Sequence, residues 1–301
     1  MKHKQPFFSI IIPTYARPKQ LNLCLCSLAR LDYSRNQFEV IVVEDGSKMP
    51  LDALAAPFQD SLNITLITQP HAGPATARNT GAARAKGKYL AFIDDDCTVA
   101  PDWLQVLAER IATKRDLAIG GLVINTLTDN VYSSASQLLI YYLYDYFSAN
   151  NKQGFFFTSN NLTIPADYFS SISGFDTTFP LAAGEDRELC DRWLHYGYRL
   201  IYVKEAIVSH AHKLAPSTFF RQHFNYGRGA FHYHQIRCRR NQSQIRPEPI
   251  SFYLNMLRYP FSKVDGPRAL LLVMLLIVSQ VANTTGFFGE MAKRCVTRSF
   301  M

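Results

Sequence analysis

The sequence predicts an α/β fold, a Rossmann-like and mostly parallel central sheet flanked by helices, followed by a C-terminal helical extension. Three observations predict it. Short β-branched and aromatic runs alternate with helical patterns over the first 124 residues, polar clusters stand at the ends of three of those runs, and Ala269 to Gly289 is 21 residues without a charge.

The elements follow in order: strand Phe7–Ile12, stopped by Pro13; helix Gln20–Leu31; strands Phe38–Val43 and Ile64–Ile67; helix Thr76–Ala85; strand Tyr89–Ile93; helix Asp102–Thr113; strand Ala118–Ile124. Strand and helix taking turns implies a parallel sheet covered on both faces. In such sheets ligands sit beyond the carboxyl ends of the strands. Here those ends carry Thr14-Tyr15, Glu44-Asp45-Gly46-Ser47 and Asp94-Asp95-Asp96, so three polar clusters are expected to share one crevice.

From about 125 to 210 come the aromatic segment LLIYYLYDYF and the stretch GFFFTSNNLTIP. Beyond them lie a helix Glu185–Tyr196 ended by Gly197 and strands Arg199–Val203 and Ala206–Val208. A basic, aromatic-rich helix is expected over Ser217–Arg240, weakened by Gly227 and Gly229. NQSQIRPEP reads as a linker. The uncharged segment after it reaches the ~20 residues of a spanning helix only by including Gln280, Asn283, Thr284 and Thr285, and its basic flanks set no orientation. It reads either as membrane-associated or as packed against protein.

With 48% hydrophobic and 19% charged residues, the 301-residue chain is neither disordered nor fibrous. Residues 1–203 hold 18 Lys/Arg against 20 Asp/Glu, whereas 204–301 hold 14 against 4, so the last third is the basic part and suits an anionic partner such as a membrane surface, a lipid phosphate or nucleic acid. The six scattered cysteines show no CxxC pair and no zinc spacing, and read as reduced thiols of a cytosolic protein. Pro13 interrupts the N-terminal apolar run too early for a secretory signal. The acceptor-like Asn63-Ile-Thr and Asn161-Leu-Thr are therefore read as chance matches.

Along a strand, side chains alternate, so Asp94 and Asp96 would share one side and Asp95 the other. Two carboxylates on one side can hold a divalent ion, their mutual repulsion needing a cation to offset it; an acidic turn capping the helix after Pro101 is the plainer alternative. Asp45 suits a hydrogen bond to a nucleobase or ribose, or an ordinary Asx turn. Tyr15 offers a face for a base, or a packing tyrosine. Glu185-Asp186 either complements the macrodipole of its helix or, approached by PLAAG, leaves one carboxylate as a general base. His210 and His212 lie on one side of an extended segment, where either is structural or supplies an imidazole to a metal. There is no GxGxxG, GxxxxGK[ST] or GxSxG.

Six stretches, FSIIIPTYARPKQLNLCLCSL, EVIVVEDGS, HAGPATARNTGAARAKGKYLAFIDDDCTVAPDWL, SNNLTIPADYFSSISGFDTTFP, GEDRELCDRWLHYGYRLIYV and VSHAHK, in this order, resemble the inverting glycosyltransferases of family 2 over residues 7–240. The resemblance implies a GT-A fold, with residues 1–240 as the catalytic domain, divided into a nucleotide-sugar half (1–124) and an acceptor half (125–240). Residues 241–301 would be a linker, an apolar membrane-associated helix and a basic tail. It implies that Tyr15 stacks on the base, that Asp45 hydrogen-bonds it, and that Pro13, Arg17, Arg78, Asp94, Asp95 and Glu185 line the nucleotide sugar. Asp94, Asp96 and His210 would bind Mn²⁺ or Mg²⁺, Asp96 most directly, and Asp186 would deprotonate the acceptor hydroxyl. A UDP-sugar donor and a glycan or lipid-linked acceptor follow from the same resemblance; the cytoplasmic face of a membrane is the location expected from the apolar segment, the basic last third and the reduced thiols. Glu44 stands where many relatives carry Asp, and the QxxRW motif of processive synthases is missing, which favours single addition. No nucleic-acid signature is found. Two rival readings are a nucleotidyltransferase, which lacks its Gly-rich NTP loop here, and a non-enzymatic membrane- or anion-binding module, which leaves the acidic cluster unexplained.

Overall fold

A computed structural model of the chain describes residues 7–48, 50–111, 116–149, 156–179, 183–241, 244–245 and 247–299. In chain order these form β1 (Phe8–Thr14), α1 (Pro18–Leu28), β2 (Phe38–Glu44), the short α2 (Leu51–Ala55), β3 (Ile64–Thr68), α3 (Pro74–Arg84), β4 (Tyr89–Phe92), β5 (Cys97–Val99) and α4 (Trp103–Ile111). Then come β6 (Leu117–Asn125), α5 (Val131–Ala149), β7 (Leu162–Pro165), α6 (Ala166–Ser171), α7 (Glu185–His195), β8 (Arg199–His210), α8 (Pro216–Asn241), α9 (Ile250–Arg258) and α10 (Gly266–Ser299). Two compact units result: the chain up to Ile124 with Phe156–Thr177 and Leu189–Ala211, and Asn125–Phe155 with Thr178–Glu188 and the chain from His212.

The first unit is built on one eight-stranded sheet of order β3-β2-β1-β4-β7-β6-β8-β5. Its first half is parallel, with Ile10 beside both Val40 and Ala91 and Val42 beside Leu66. Every residue of β1 and β2 is buried, which is why these strands read as continuous Val/Ile runs rather than alternating ones. Pro13 lies two residues beyond the last β1–β4 pair, where its missing N–H interrupts no β4 ladder. The second half of the sheet differs from the parallel expectation: β7 runs antiparallel to β4 and β6, and β5 antiparallel to β8. Strand and helix still alternate along the chain from β5 to β8, so alternation by itself did not set the direction in which these strands pair. The strands Arg199–Val203 and Ala206–Val208 are one strand, β8.

Asn161 rivets this half. It accepts from Trp103 Nε1 (3.1 Å) and donates to the carbonyls of Leu122 (3.0 Å) and Ala206 (2.9 Å) while only 2% exposed, so the sequon it opens is closed to a glycan. Cys24 and Cys97 are fully buried and pack as small hydrophobes, burial pushing both thiols up.

The second unit is helical. Ala135 and Leu138 of α5 meet Leu214, Phe219 of α8 and Leu272 and Leu275 of α10; Tyr142, Phe252, Met256 and Leu276 form a second cluster. Helix α8 is unbroken at Gly227, contrary to the propensity expectation, because a tertiary contact uses the glycine. A Cβ on Gly227 would stand 1.8 Å from the Asn283 carbonyl oxygen, and one on Gly286 1.9 Å from that of Phe224. The propensity loss of about 1 kcal/mol is offset by the backbone contact along α8 and α10. The far end is held by Arg228 Nε donating to Glu290 Oε2 at 2.8 Å.

His223 on α8 is 1% exposed beside Phe219 and Tyr226, and its Nε2 has no hydrogen-bond partner among the described residues. Burial lowers its pKa from 6.5 to about 4. Between those values the unfolded chain holds a proton that the folded one does not, so stability falls as pH falls through this window, by about 3 kcal/mol across it. Urea midpoints at pH 7.5 and 4.5 should show this loss together with that of His234, whose pKa burial also lowers to about 4, and His223→Phe should remove its own share; an equal loss in the variant assigns the whole effect to other groups.

Candidate active site

The three polar clusters do converge in the first unit, at the ends of β1, β2 and β4. The acidic run occupies a turn after β4 has ended, closed by Cys97 N donating to the Asp94 carbonyl at 3.1 Å. Strand alternation therefore does not apply to it, and β5 separates it from α4, so it does not cap that helix. Asp95 and Asp96 face the same guanidinium: Arg17 Nη1 lies 3.2 Å from Asp95 Oδ1 and 3.0 Å from Asp96 Oδ2. Asp94 turns to Arg78, whose Nη2 donates to Oδ1 at 2.8 Å. The cations that crowded carboxylates require are thus Arg17 and the buried Arg78.

Asp95 is 4% exposed and also accepts from Thr14 Oγ1 at 2.7 Å. Burial raises its pKa to about 6 despite Arg17 and Thr14, with Asp96 and Asp94 adding to the rise. Asp96 meets a second partner: β5 pairs with the end of β8, Cys97 opposite His210, which brings His210 Nε2 to 3.1 Å from Asp96 Oδ1. Of the two outer carboxylates it is Asp96 that faces His210, whereas Asp94 faces Arg78. His212 begins the second unit, where its Nε2 is 2.8 Å from Gln222 Oε1.

At the end of β2 the two acidic residues do different work. Glu44 accepts from the N–H groups of Gly46 (3.1 Å) and Ser47 (2.6 Å) and from the Ser47 hydroxyl, closing the turn. Gly46 has φ +90°, and a Cβ there would stand 2.6 Å from His71 N, so only glycine fits. Asp45 organises the loop after β3. Its Oδ1 accepts from Gln69 Nε2 (2.7 Å) and Ala72 N (2.9 Å), its Oδ2 from Gly73 N (2.8 Å), and His71 Nδ1 lies 2.9 Å from Oδ2. The half-exposed Tyr15 ring lies 4.8 Å from the His71 ring, centre to centre. Ala16 N donates to Ser47 Oγ at 2.9 Å and Ala16 has φ 55°, a left-handed turn that sends Arg17 on from Tyr15. Gln69 and His71 were not singled out from sequence; their only signal was the HAG that precedes α3.

Glu185 and Asp186 belong to the second unit. Glu185 is 5% exposed, Asp186 is more open, and its Oδ1 accepts from Arg187 N at 2.7 Å. The rest of that first turn is tied down: buried Glu188 pairs with Arg240, and the Arg187 guanidinium lies 4.8 Å from the Tyr233 ring centre. Gly229 of α8 backs onto Ala183, just before this turn. Of the PLAAG approach, Pro180–Ala182 lie outside the described residues. Gly197 ends α7 as expected, its N–H donating to the Leu194 carbonyl at 3.0 Å.

Residues 9–172 match the model of the family described as Glycosyl transferase family 2. The chain is 37% identical over 103 residues to the glycosyltransferase AglE of Haloferax volcanii, which covers 33% of this chain and 34% of that protein. It is 28% identical over 245 residues to the validoxylamine A glucosyltransferase of Streptomyces hygroscopicus, covering 72% of this chain and 54% of that one. The match thus spans about a third to a half of these relatives. The mannosyltransferase PcManGT from Pyrobaculum calidifontis, solved in complex with GDP-Man and Mn²⁺, superposes with a TM-score of 0.63 over 93% of this chain and 88% of its own, at 16% identity, a likeness of fold.

Proposed function

The chain belongs to glycosyl transferase family 2 and is a glycosyltransferase of GT-A fold, and from that premise we propose that it moves one sugar, with inversion, from a nucleotide-diphosphate sugar to a hydroxyl of a glycan or lipid-linked acceptor at the cytoplasmic face of a membrane. The observation that carries the reading is the meeting of Tyr15, Arg17, Asp45, Arg78, the three aspartates and His210 at the strand ends of one sheet. Residues 1–240 would form the catalytic domain and 241–301 its membrane-associated extension.

In this reading Tyr15 stacks on the base beside His71. Asp45 accepts the base N–H in place of His71, the one of its four donors whose side chain stands 63% exposed. Pro13 and Glu185 line the donor, and Arg78 and Asp94 hold each other beside the nucleotide. Arg17 exchanges its contacts with Asp95 and Asp96 for the diphosphate, freeing Asp95 toward the sugar or ribose. Asp96 would offer an oxygen and His210 a nitrogen to a divalent cation, and Asp94 would join them as the other outer carboxylate of the run. A donor set that includes an imidazole suits Mn²⁺ better than Mg²⁺, which takes oxygens. When bound, such a cation neutralises the leaving diphosphate. Asp186 takes the proton of the acceptor hydroxyl as its oxygen bonds to the anomeric carbon from the face opposite the breaking C–O bond, and the nucleoside diphosphate leaves as an anion.

UDP is the carrier this reading favours; a GDP-sugar is the rival, because PcManGT was solved with GDP-Man. Nucleoside-diphosphate release from a panel of UDP-, GDP- and dTDP-sugars, with Mn²⁺, Mg²⁺ or EDTA, tests it. Metal-dependent release from one donor is expected. Neither release nor calorimetric binding of any sugar nucleotide would overturn it.

A further inference from the structure

Helix α10 has two apolar faces. One, carrying Leu272, Leu276, Ser279 and Ala282, is buried within the second unit. The other carries Leu270, Met274, Ile277, Val281 and Phe288, between 40% and 59% exposed. Their spacings of four, three, four and seven put them on one line of the helix, about 27 Å long. An apolar line of this length facing outward, broken only by the exposed Thr284 and Thr285, marks a binding surface.

By length and composition α10 could cross a membrane: Gly266–Arg294 contains an 18-residue window with a mean hydropathy of 1.8. Its packing argues otherwise. The buried face is keyed into α8 at Gly227 and Gly286 and closed by Arg228 and Glu290. Helix α8 itself carries Arg221, Arg228, Arg237, Arg239 and Arg240, each costing about 2.5–3.5 kcal/mol at the middle of a bilayer. A spanning α10 would have to take these arginines with it or give up the glycine contacts.

Charge chooses the occupant. The apolar line is uncharged from 269 to 289, and its exposed flanks carry Lys263, Arg268 and Lys293 against Asp265, within residues 204–301 that hold 14 basic and 4 acidic residues. Two copies meeting through this face would bring like charges together, whereas anionic headgroups attract them by about 1 kcal/mol per basic side chain. We propose that α10 lies in the plane of an anionic lipid surface with the Leu270–Phe288 line sunk into it. This rests on the membrane reading above and specifies how attachment is made.

The test is co-sedimentation of the full chain with phosphatidylcholine vesicles, with or without phosphatidylglycerol, at low and high salt. Light scattering and alkaline carbonate extraction of cell membranes accompany it. At least tenfold more protein should sediment with the anionic vesicles at low salt, and carbonate should release the membrane-bound fraction. Met274→Glu with Val281→Glu should lose that binding at least tenfold while the circular dichroism melt and donor-dependent nucleoside-diphosphate release stay unchanged. Carbonate-resistant protein overturns the in-plane mode and leaves the membrane reading standing. A dimer in solution that the double variant dissociates, without vesicle binding, overturns both, as does protein that is monomeric and binds no vesicle. Unchanged binding by the double variant assigns attachment to another surface and overturns the proposal.

Discussion

Asp96→Asn is expected to lower metal-stimulated nucleoside-diphosphate release by about 10³-fold, with the fold intact, because electrostatic stabilisation of a leaving group is among the largest single contributions a site can make. Asp96 is 8% exposed and its two oxygens point to different partners, Oδ1 to His210 and Oδ2 to Arg17. Asparagine keeps the shape and the main-chain bond from Ala211 N at 3.0 Å, yet replaces one acceptor oxygen by a donor and removes the charge. The amide cannot serve His210 and a cation together. The measurement is kcat/KM against Mn²⁺ concentration, with thermal midpoints recorded in parallel. Mn²⁺ should raise the wild-type midpoint and not the variant's, since a ligand at 100 times its Kd adds about 2.7 kcal/mol to the folded state. Turnover within tenfold of wild type, or an unchanged Mn²⁺ dependence, would remove Asp96 from the site.

Asp186→Asn should lower kcat by about 10²- to 10⁴-fold, the range of a general base, with little change in donor affinity. The structural ground is the asymmetry of the first turn of α7. Glu188 pairs with Arg240 and, like Glu185, is buried, whereas Asp186 is the most solvent-exposed of the three carboxylates of that turn. Calorimetry of the donor separates this role from binding. A variant that loses donor affinity and kcat together reads as a binding residue, and one that keeps kcat dismisses Asp186 as the base.

Much of the parallel half was legible because its signals are local. Phe8–Thr14 and Phe38–Glu44 are buried on both faces and announce it in unbroken Val/Ile runs, and the polar clusters that end them mark the crevice. The strands Cys97–Val99 and Leu162–Pro165 gave no such signal, being three and four residues long and paired only with distant segments. The acidic run was read as strand because the strand's last residue is not written in the sequence; its turn geometry depends on where β5 pairs with β8. Gly227 misled for the converse reason: its intrinsic cost is local, and its compensation lies 56 residues away at Asn283.

By itself the sequence determined the α/β class and the identity of the carboxylates at the strand ends, because these follow from residue type and short-range periodicity, while the six motif stretches in their order carried the resemblance to the family. Only the tertiary structure decided which carboxylate faces which partner: Asp94 to Arg78, Asp95 to Thr14 and Arg17, Asp96 to Arg17 and His210, Asp45 to the loop that carries His71. It also decided that one face of α10 is covered by its own unit while the other is not. Periodicity shows that side chains share a face, but what meets that face is set by chain segments tens to more than a hundred residues away.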